Sequence, residues 1–385
     1  MTNSAFLMRL GVTLALFAAT ANPAAAAQTD RWAAYQGNVE HNGYLPRHLL
    51  LQPTTPAWTN LAIAGQSVNG LAVSDGLVFT THSRSLVAQR LADGQVVWSH
   101  DFGFVWSVSP PAIDSGNLYL QTSDYYDTYV HKFQIDGTFL WRAPFQSQFD
   151  SFLGPIVVDG TLYFDGGMYG GAYSFDTQDG YMNWYTNLPQ FDRWSPTWWN
   201  GSLVIYTNSL DVLTASSGAG SKTIADPGFV FPYQGTNQAP VVVGNYAYAT
   251  NAGRLLAFDM QAGTQPWALT IGASGQVATD GTQLFVVAGS ALSVRDPATG
   301  AEAWSWTPPA SHAATPGFVV TDSHVVIGDG TSTYLVNRTT HTADATYAAS
   351  GLIAYAADVL LIADTNGSVH AFSLPSDEIF RSAFE

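Results

Sequence analysis

The strongest constraint on the fold is a motif that returns about every 40 residues, a period typical of repeat architectures. Its clearest copy runs from Gly154 to Leu188 and contains four short runs in which apolar and polar residues alternate, with an Asp-Gly pair between the first two. Such alternation predicts strands, and Asp-Gly favours a tight hairpin turn. Four short strands per copy predict the blades of a β-propeller. No segment after residue 27 has helical periodicity.

Tryptophan marks the last strand of most copies. The clear positions are Trp98, Trp141, Trp184, Trp267 and Trp304, with Trp58 near the beginning. Two weaker positions are expected near Thr223 and Tyr347, which makes eight positions and predicts an all-β, eight-bladed propeller of four-stranded antiparallel blades. The final copy, from Gly351 to Leu374, lacks a last strand. We expect the N-terminal strand with Trp58 to complete it, because closure removes free sheet edges.

Both ends of the chain differ from the repeats. Residues 1–27 combine Arg9, an apolar stretch and a small-residue run ending at Ala27, which predicts a cleaved signal peptide. The apolar stretch is shorter than the roughly 20 residues that span a membrane. The predicted organisation is a signal peptide (1–27), a lead-in segment (28–52), a propeller (53–375) and a tail (376–385). We therefore expect a secreted or periplasmic protein without a membrane anchor.

Composition narrows the range of partners. The chain contains no cysteine, which excludes disulfides, cysteine-bound metals and a lipid anchor on cysteine. Its net charge of −16 disfavours nucleic acids and anionic membranes. Aromatic residues make up 13% of the chain and charged residues only 11%. These values suit a monomer that binds a glycan or a cell-envelope protein, although most of the aromatic residues are expected in the core.

Several segments resemble the repeat of pyrroloquinoline-quinone-type (PQQ-like) β-propeller proteins. These segments are DGTLYF, DTQDGYMNW, LLAFDMQAGTQPW and LSVRDPATGAEAWSW, preceded by WAAYQGNVEHNGYLP, which is similar to the lead-in of such propellers. The resemblance implies the propeller fold. Quinone-dependent alcohol dehydrogenases of this kind use PQQ, calcium or a lanthanide, and vicinal cysteines. An assembly lipoprotein of similar length is anchored through a lipidated cysteine. This chain has no cysteine, so we expect no such anchor and no cofactor. The final SDEIFRSAFE resembles a sorting tail, and a frayed terminus is the alternative.

One face of the predicted propeller is elaborated. The loops that enter each blade and the loops between its second and third strands share this face. Four consecutive entry loops are long and aromatic, which predicts either a ligand cleft or a plug in the central channel. The candidate ligand-binding residues are Trp106, Phe149, Phe191, Trp194, Phe231, Tyr233, His82, Arg84, Tyr126 and Tyr169.

Two carboxylates in neighbouring entry loops could support catalysis. Asp150 and Asp192 each lie close after a phenylalanine, and Arg193 follows the second. A carboxylate pair suits glycosidic chemistry, and a guanidinium suits a sugar acid; capping of loop backbone is the structural alternative. The first hypothesis is a non-catalytic exported propeller that binds a glycan or protein partner. The second is a polysaccharide lyase or glycoside hydrolase, and the third is a quinone-dependent oxidoreductase.

Overall fold

The computed structural model describes residues 31–63, 65–124, 127–148, 150–231, 238–309 and 312–377. Within these ranges the chain is built of β-strands, with one 3₁₀ turn at Tyr35–Gly37. The predicted signal peptide and the end of the predicted tail lie outside the described residues. None of the described helices is long and apolar enough to span a membrane.

The first four sheets follow one another along the chain. Sheet 1 contains the strands Gly70–Ser74, Leu77–Thr81, Ser85–Arg90 and Val96–Asp101. Sheet 2 contains Ser107–Val108 and Ala112–Asp114, which both pair with Asn117–Ser123, and then Thr128–Gln134 and Phe139–Phe145. Sheet 3 contains Ile156–Val158, Thr161–Gly166, Gly171–Asp176 and Met182–Asn187. Sheet 4 contains Thr197–Trp199, Ser202–Tyr206, Ser209–Thr214 and Gly220–Ala225. All neighbouring strands in these sheets are antiparallel.

The remaining three sheets of the described chain vary the pattern. Sheet 5 has seven strands: Val241–Val243, Tyr246–Asn251, Gly253–Asp259, Thr264–Thr279, Leu284–Ala288, Ala291–Arg295 and Glu302–Trp306. Sheet 6 contains Val319–Thr321, His324–Gly328, Thr333–Asn337 and Ala343–Tyr347, with Tyr44–Leu45 added in parallel. Sheet 7 contains Leu352–Ala356, Val359–Ala363 and Ser368–Ser373, with Trp58–Leu61 as its outer strand. The all-β class and the four-stranded antiparallel units are thereby confirmed.

Strand register defines two faces. In sheet 1, Gly70 at the start of the first strand pairs with Thr81 at the end of the second, and Ser85 pairs with Asp101. The loop that enters a sheet therefore lies beside the loop between its second and third strands. We call this side of the molecule the loop face.

The repeated tryptophans join each sheet to the next. The indole N–H of Trp98, in sheet 1, donates to the carbonyl of Ile135 in sheet 2 at 2.9 Å. The same ring covers Gly137 so closely that an added Cβ would lie 2.8 Å from it. Trp58, in sheet 7, makes the equivalent bond to Leu91 of sheet 1 at 2.8 Å. The sequence period thus reflects an indole that needs a glycine and a carbonyl in the neighbouring turn.

The two weak positions of the pattern are occupied by other residues. Strand register places Lys222 at the tryptophan position of sheet 4 and Ala345 at that of sheet 6. The Lys222 ammonium donates to the carbonyls of Met260 and Gln261 at 2.6 and 2.8 Å. Its charged group therefore replaces the indole N–H as the donor to the next turn.

Apolar side chains fill the space between adjacent sheets. Leu86 and Phe79 of sheet 1, for example, pack with Leu118 and Phe133 of sheet 2. A further cluster combines residues of sheets 6, 7 and 1. The core is therefore divided among the junctions between sheets.

The lead-in segment runs along the innermost strands. Trp32 pairs with Val73 of sheet 1, and Tyr44–Leu45 pairs with sheet 6. Between these points, lead-in carbonyls accept hydrogen bonds from three other sheets, through Ile113, Trp198 and Thr279 at 2.7, 2.9 and 2.9 Å. Because this route follows the first strands, the segment lies where the sheets converge, a position that the sequence did not predict.

His41 fastens this segment at a buried position. Its Nδ1 lies 2.7 Å from the carbonyl oxygen of Tyr35, and its Nε2 lies 3.1 Å from that of Pro196. Burial lowers the pKa of His41 to about 4. A neutral imidazole carries one N–H, so one of these two contacts is the hydrogen bond.

Candidate functional site

Seven of the ten predicted binding residues lie in the described part of the chain, some exposed and some buried. Phe149, Tyr126 and Tyr233 lie outside the described residues. Trp106, Tyr169 and Phe231 lie on the loop face with exposed fractions of 52%, 75% and 53%. Met168 and Val230, which the sequence analysis did not select, are also exposed beside two of them. We call these five side chains the apolar face. Met168 and Val230 could have been predicted from the sequence, because each is next to an aromatic residue of a loop.

Three of the predicted ligand contacts are instead buried. Trp194 is 1% exposed, and its indole N–H donates to the carbonyl of Phe191 at 3.1 Å, which holds their loop in a compact turn. Phe191 is 7% exposed and supports Phe231, with ring centroids 5.3 Å apart. His82 is fully buried, and its Nε2 lies 3.0 Å from the hydroxyl of Thr80. Their side chains face the core because each completes a loop internally.

Arg84, another predicted binding residue, pairs with an acidic side chain of its own sheet. Its guanidinium is 3.8 Å from the carboxylate of Asp101, and both side chains are more than half exposed. Such exposed pairs contribute little to stability.

Hydrogen bonds between loops hold Tyr169 in its exposed position. The loop of sheet 3 that carries it bonds to the preceding entry loop through Gly167, whose N–H donates to Gln146 O at 2.6 Å. The Tyr185 hydroxyl donates to Gly170 O at 2.8 Å. Gly170 has a φ of +90°, and an added Cβ would lie 2.4 Å from the carbonyl oxygen of Pro189. Glycine is therefore required there for the loops to approach each other.

The predicted carboxylate pair is accompanied by a third acid. Burial raises the pKa of Asp192, and the charge of Asp150 raises it further, whereas Arg193 opposes the shift. Burial raises the pKa of Asp165 to about 8, with an added contribution from Asp192. The Asp165 carboxylate accepts a 3.3 Å hydrogen bond from the Gln121 amide. The charge of Asp150 thus acts on Asp192, and that of Asp192 acts on Asp165, whose raised pKa favours its protonated form at neutral pH.

A cavity of about 400 Å³ lies where the first strands converge. Its lining includes Trp32, Tyr35 and Gln36 of the lead-in segment, together with Arg193. Gln36 is 8% exposed, and its side-chain oxygen has no partner among the described residues. Arg193 is the one charged residue in this lining.

Two overlapping matches to a family model cover residues 50–228 and 134–306. The model is described as outer membrane protein assembly factor BamB, of the PQQ-like repeat type. The chain belongs to this family. Its members' PQQ-like β-propeller repeats account for the Trp-to-turn bonds between sheets and for the four-stranded units. No curated protein matches the chain by sequence.

Solved structures agree on the fold. BamB from Moraxella catarrhalis is 14% identical, with a TM-score of 0.64 over 84% of this chain and 98% of that one. The quinohemoprotein alcohol dehydrogenase ADHIIG from Pseudomonas putida HK5 is 12% identical, with a TM-score of 0.71 over 92% of this chain and 81% of its own. The quinohemoprotein alcohol dehydrogenase from Comamonas testosteroni is also 12% identical, with a TM-score of 0.70 over 91% and 81%. At these identities the likeness extends to fold alone.

Proposed function

We propose that this BamB-family protein is an exported, non-catalytic propeller that binds a protein partner in the cell envelope through its apolar face. We infer eight blades, with sheet 5 counted as two blades that share the strand Thr264–Thr279. The pairing of Trp58–Leu61 with Ser368–Ser373, and the bond from Trp58 to sheet 1, support closure by the N-terminal strand. The predicted signal peptide and a monomeric state belong to the same proposal.

The observation that carries the proposal is a set of exposed apolar side chains on pre-organised loops. Trp106, Tyr169 and Phe231 come from three different loops of one face, and each is at least half exposed. Large apolar side chains that are exposed on one face of a protein are typical of interaction sites. Aromatic residues held in place before binding lose little entropy, so they contribute strongly to protein interfaces.

The experiment places a photoreactive phenylalanine at position 169 or 231 of the full-length protein in its native cells. Position 181 is the matched control, because Tyr181 is 71% exposed but lies in the turn at the opposite end of sheet 3. The proposal predicts the same cross-linked protein from positions 169 and 231 and none from 181. Cross-linking of the same proteins from all three positions, or from none, would contradict it.

A purified complex then gives the energetic test. We expect Tyr169→Ala to weaken binding of the identified partner about 10-fold or more, the size of a typical interface hot spot. Tyr181→Ala should leave the affinity unchanged. If a panel of envelope polysaccharides, rather than a protein, raises the melting temperature of the wild type and not of Tyr169→Ala, the face binds a glycan instead.

The residues at the axis do not fit a quinone cofactor. PQQ carries several carboxylates, and the axial cavity offers the single cation of Arg193. Among the described residues no group of three or more His, Asp or Glu side chains is arranged to hold a metal ion. We therefore assign no role to PQQ or calcium.

The second candidate function is polysaccharide cleavage, which the raised pKa of Asp165 and its coupling to Asp192 favour. A protonated acid beside a carboxylate could act as general acid and base. Incubation of the purified protein with a polysaccharide panel should then release oligosaccharides, and Asp192→Asn combined with Arg193→Ala should lower the rate about 100-fold or more. Product formation that survives these changes would remove this candidate.

A further inference from the structure

A cavity of about 470 Å³ separates sheets 1 and 2 near the loop face. It lies at the rim of the molecule, away from the axis, because its lining comes from later strands of each sheet. Sheet 1 and the loop after it contribute His100, Asp101, Phe102, Phe104 and Val105. Sheet 2 contributes Thr122, Asp124, Asp127, Tyr129, His131, Phe139 and Arg142. We call this space the rim cavity.

A neutral imidazole lies deep in the rim cavity, beside the buried hydroxyl of Thr122. His131 is 5% exposed, and its Nε2 lies 2.8 Å from the hydroxyl of Thr122. Burial lowers the pKa of His131 to about 3, and the nearby Arg142 lowers it further. The neutral ring offers one N–H donor and one lone pair. Because Nε2 faces Thr122, Nδ1 is the ring nitrogen left for a ligand, as an uncharged donor or acceptor.

Aromatic rings form the walls. Phe104 is 86% exposed, although it lines a cavity, and Phe139 is 48% exposed. Phe102 meets His131 edge-on with ring centroids 5.0 Å apart, which keeps the inner wall in place. Two exposed phenylalanines beside a polar floor provide apolar faces against which a ring with C–H groups can stack.

Charged groups of both signs surround the opening. Asp101, Asp124 and Asp127 are acidic, and Arg142 is basic. Asp101 accepts a hydrogen bond from the N–H of Gly103 at 2.8 Å, and Asp124 accepts one from that of Asp127 at 2.7 Å. The Arg142 guanidinium lies 4.4 Å from the centre of the Tyr129 ring. Each of these carboxylates, and Arg142 as well, keeps further hydrogen-bonding capacity.

This combination disfavours anionic ligands, because an anion would meet three carboxylates and a single guanidinium, which already covers the Tyr129 ring. An uncharged ligand avoids this repulsion and can accept from Arg142 while donating to the carboxylates. Sugars have this chemistry, because their hydroxyls donate and accept and one side of the ring is apolar.

We propose that the rim cavity binds a neutral sugar unit, stacked on Phe104 and hydrogen-bonded to Arg142, Asp127 and the imidazole of His131. Its volume falls in the range of small-ligand sites and suits one or two sugar rings. The site and the apolar face share the loop that carries Phe104 and Trp106, but Tyr169 and Phe231 of the apolar face lie on other loops. Variants at positions 104 and 231 therefore test the sugar proposal and the protein-partner proposal separately.

The experiment uses the purified chain that begins at Gln28 and saturation-transfer NMR with glucose, galactose, mannose and N-acetylglucosamine, followed by calorimetric titration. Choline and glucuronate serve as the cationic and anionic probes. We expect at least one neutral sugar to bind in preference to both charged probes. We expect Phe104→Ala and Arg142→Gln each to weaken that sugar about 10-fold.

Both substituted side chains are exposed, so these variants should keep the wild-type melting temperature. Phe231→Ala, on the apolar face, is the matched control and should retain wild-type sugar affinity. The proposal is overturned if no neutral sugar binds, if choline or glucuronate binds more tightly, or if Phe104→Ala leaves the affinity unchanged. A sugar that is lost equally in Phe231→Ala would assign the glycan to the apolar face and would also overturn it.

Discussion

The junction between sheets 1 and 2 and the junction between sheets 4 and 5 use similar residues to opposite effect. At each one, an aspartate lies at the end of the last strand of one sheet (Asp101) or directly after it (Asp226), and the next sheet supplies an arginine. Asp226 and Arg254 form a two-fold ion pair at 2.8 and 2.7 Å, completed by the Tyr206 hydroxyl at 2.9 Å. Asp101 instead faces Arg84 of its own sheet, and Arg142 lies on an aromatic ring.

The two junctions show that buried polar groups can either stabilise the fold or remain available to a ligand. Burial alone would raise the pKa of Asp226, but hydrogen bonds from Arg254 and Tyr206 outweigh it and lower that pKa. The polar groups of this junction are therefore satisfied by one another. The first junction keeps polar groups directed into a cavity, where a ligand can satisfy them. A repeat fold can thus convert one junction into a site without changing its strands.

We call the junction between sheets 4 and 5 the closed junction and that between sheets 1 and 2 the open junction. The largest expected effect comes from removing the ion pair of the closed junction. Asp226→Ala leaves Arg254, only 13% exposed, without its carboxylate, and should lower the free energy of unfolding by about 3–5 kcal/mol. Asp101→Ala at the open junction should cost less than about 1 kcal/mol, because its pair is exposed. Urea denaturation of the two variants compares them directly. Equal losses would show that the two junctions do not differ in the way described.

Lys222 occupies the tryptophan position of the closed junction. Lys222→Trp should raise the free energy of unfolding by about 1 kcal/mol, because an indole would bury apolar area against Gly263. Gly263 has a φ of +73°, close to the +74° of Gly180 beneath Trp141, and the Lys222 side chain lies over it as the indole lies over Gly180. Lys222→Ala, which removes both bonds to sheet 5, should instead be destabilising. A Lys222→Trp variant that melts below Lys222→Ala would show that this turn cannot accept the ring.

Acid should act on the two junctions in different pH ranges. The folded pKa of His131, about 3, lies below that of an unfolded histidine, so its contribution to stability falls as the pH drops from about 6.5 towards 3. Asp226, with a lowered pKa, loses its contribution only below about 4. His131→Gln should therefore reduce the slope of stability against pH between 6 and 4, by at most about 1.4 kcal/mol per pH unit. An unchanged slope in unfolding titrations would mean that the pKa of His131 does not differ between the folded and unfolded states.

The smallest expected effect is at Arg84. Its exposed pair with Asp101 should contribute no more than about 0.5 kcal/mol, and the melting temperature of Arg84→Ala should change little with salt. A marked loss of stability would indicate that this side chain also braces the rim cavity. A sugar titration of the same variant would then show a lower affinity if Arg84 supports the rim cavity, and an unchanged affinity if it only pairs with Asp101.

The repeat made the sheets and the Trp positions predictable, because an indole, a glycine turn and alternating strands leave a strong local pattern. The tryptophan pattern was interrupted at Lys222, because there an ammonium rather than an indole N–H donates to the neighbouring turn. The exposure of Tyr169 and Phe231 was predictable from loop composition, whereas the burial of Trp194 was not, because it depends on a turn that folds back on Phe191. The rim cavity could not be predicted from the sequence either. The alternation of Tyr129, His131 and Phe133 shows that they share a strand face, but which sheet lies opposite is a matter of tertiary structure.

The lead-in segment has a consequence for how the chain folds. It contacts residues hundreds of positions later, since Leu50 N–H donates to the carbonyl of Pro375 at 2.9 Å. Just after it, Trp58–Leu61 pairs with the last strand, Ser368–Ser373. Contacts of such high sequence separation slow folding. An open array of repeats can fold one unit at a time from its first residue, whereas in this chain the first strand pairs with the last one. Its N-terminal strand can therefore reach its final pairing only after the last strand is available.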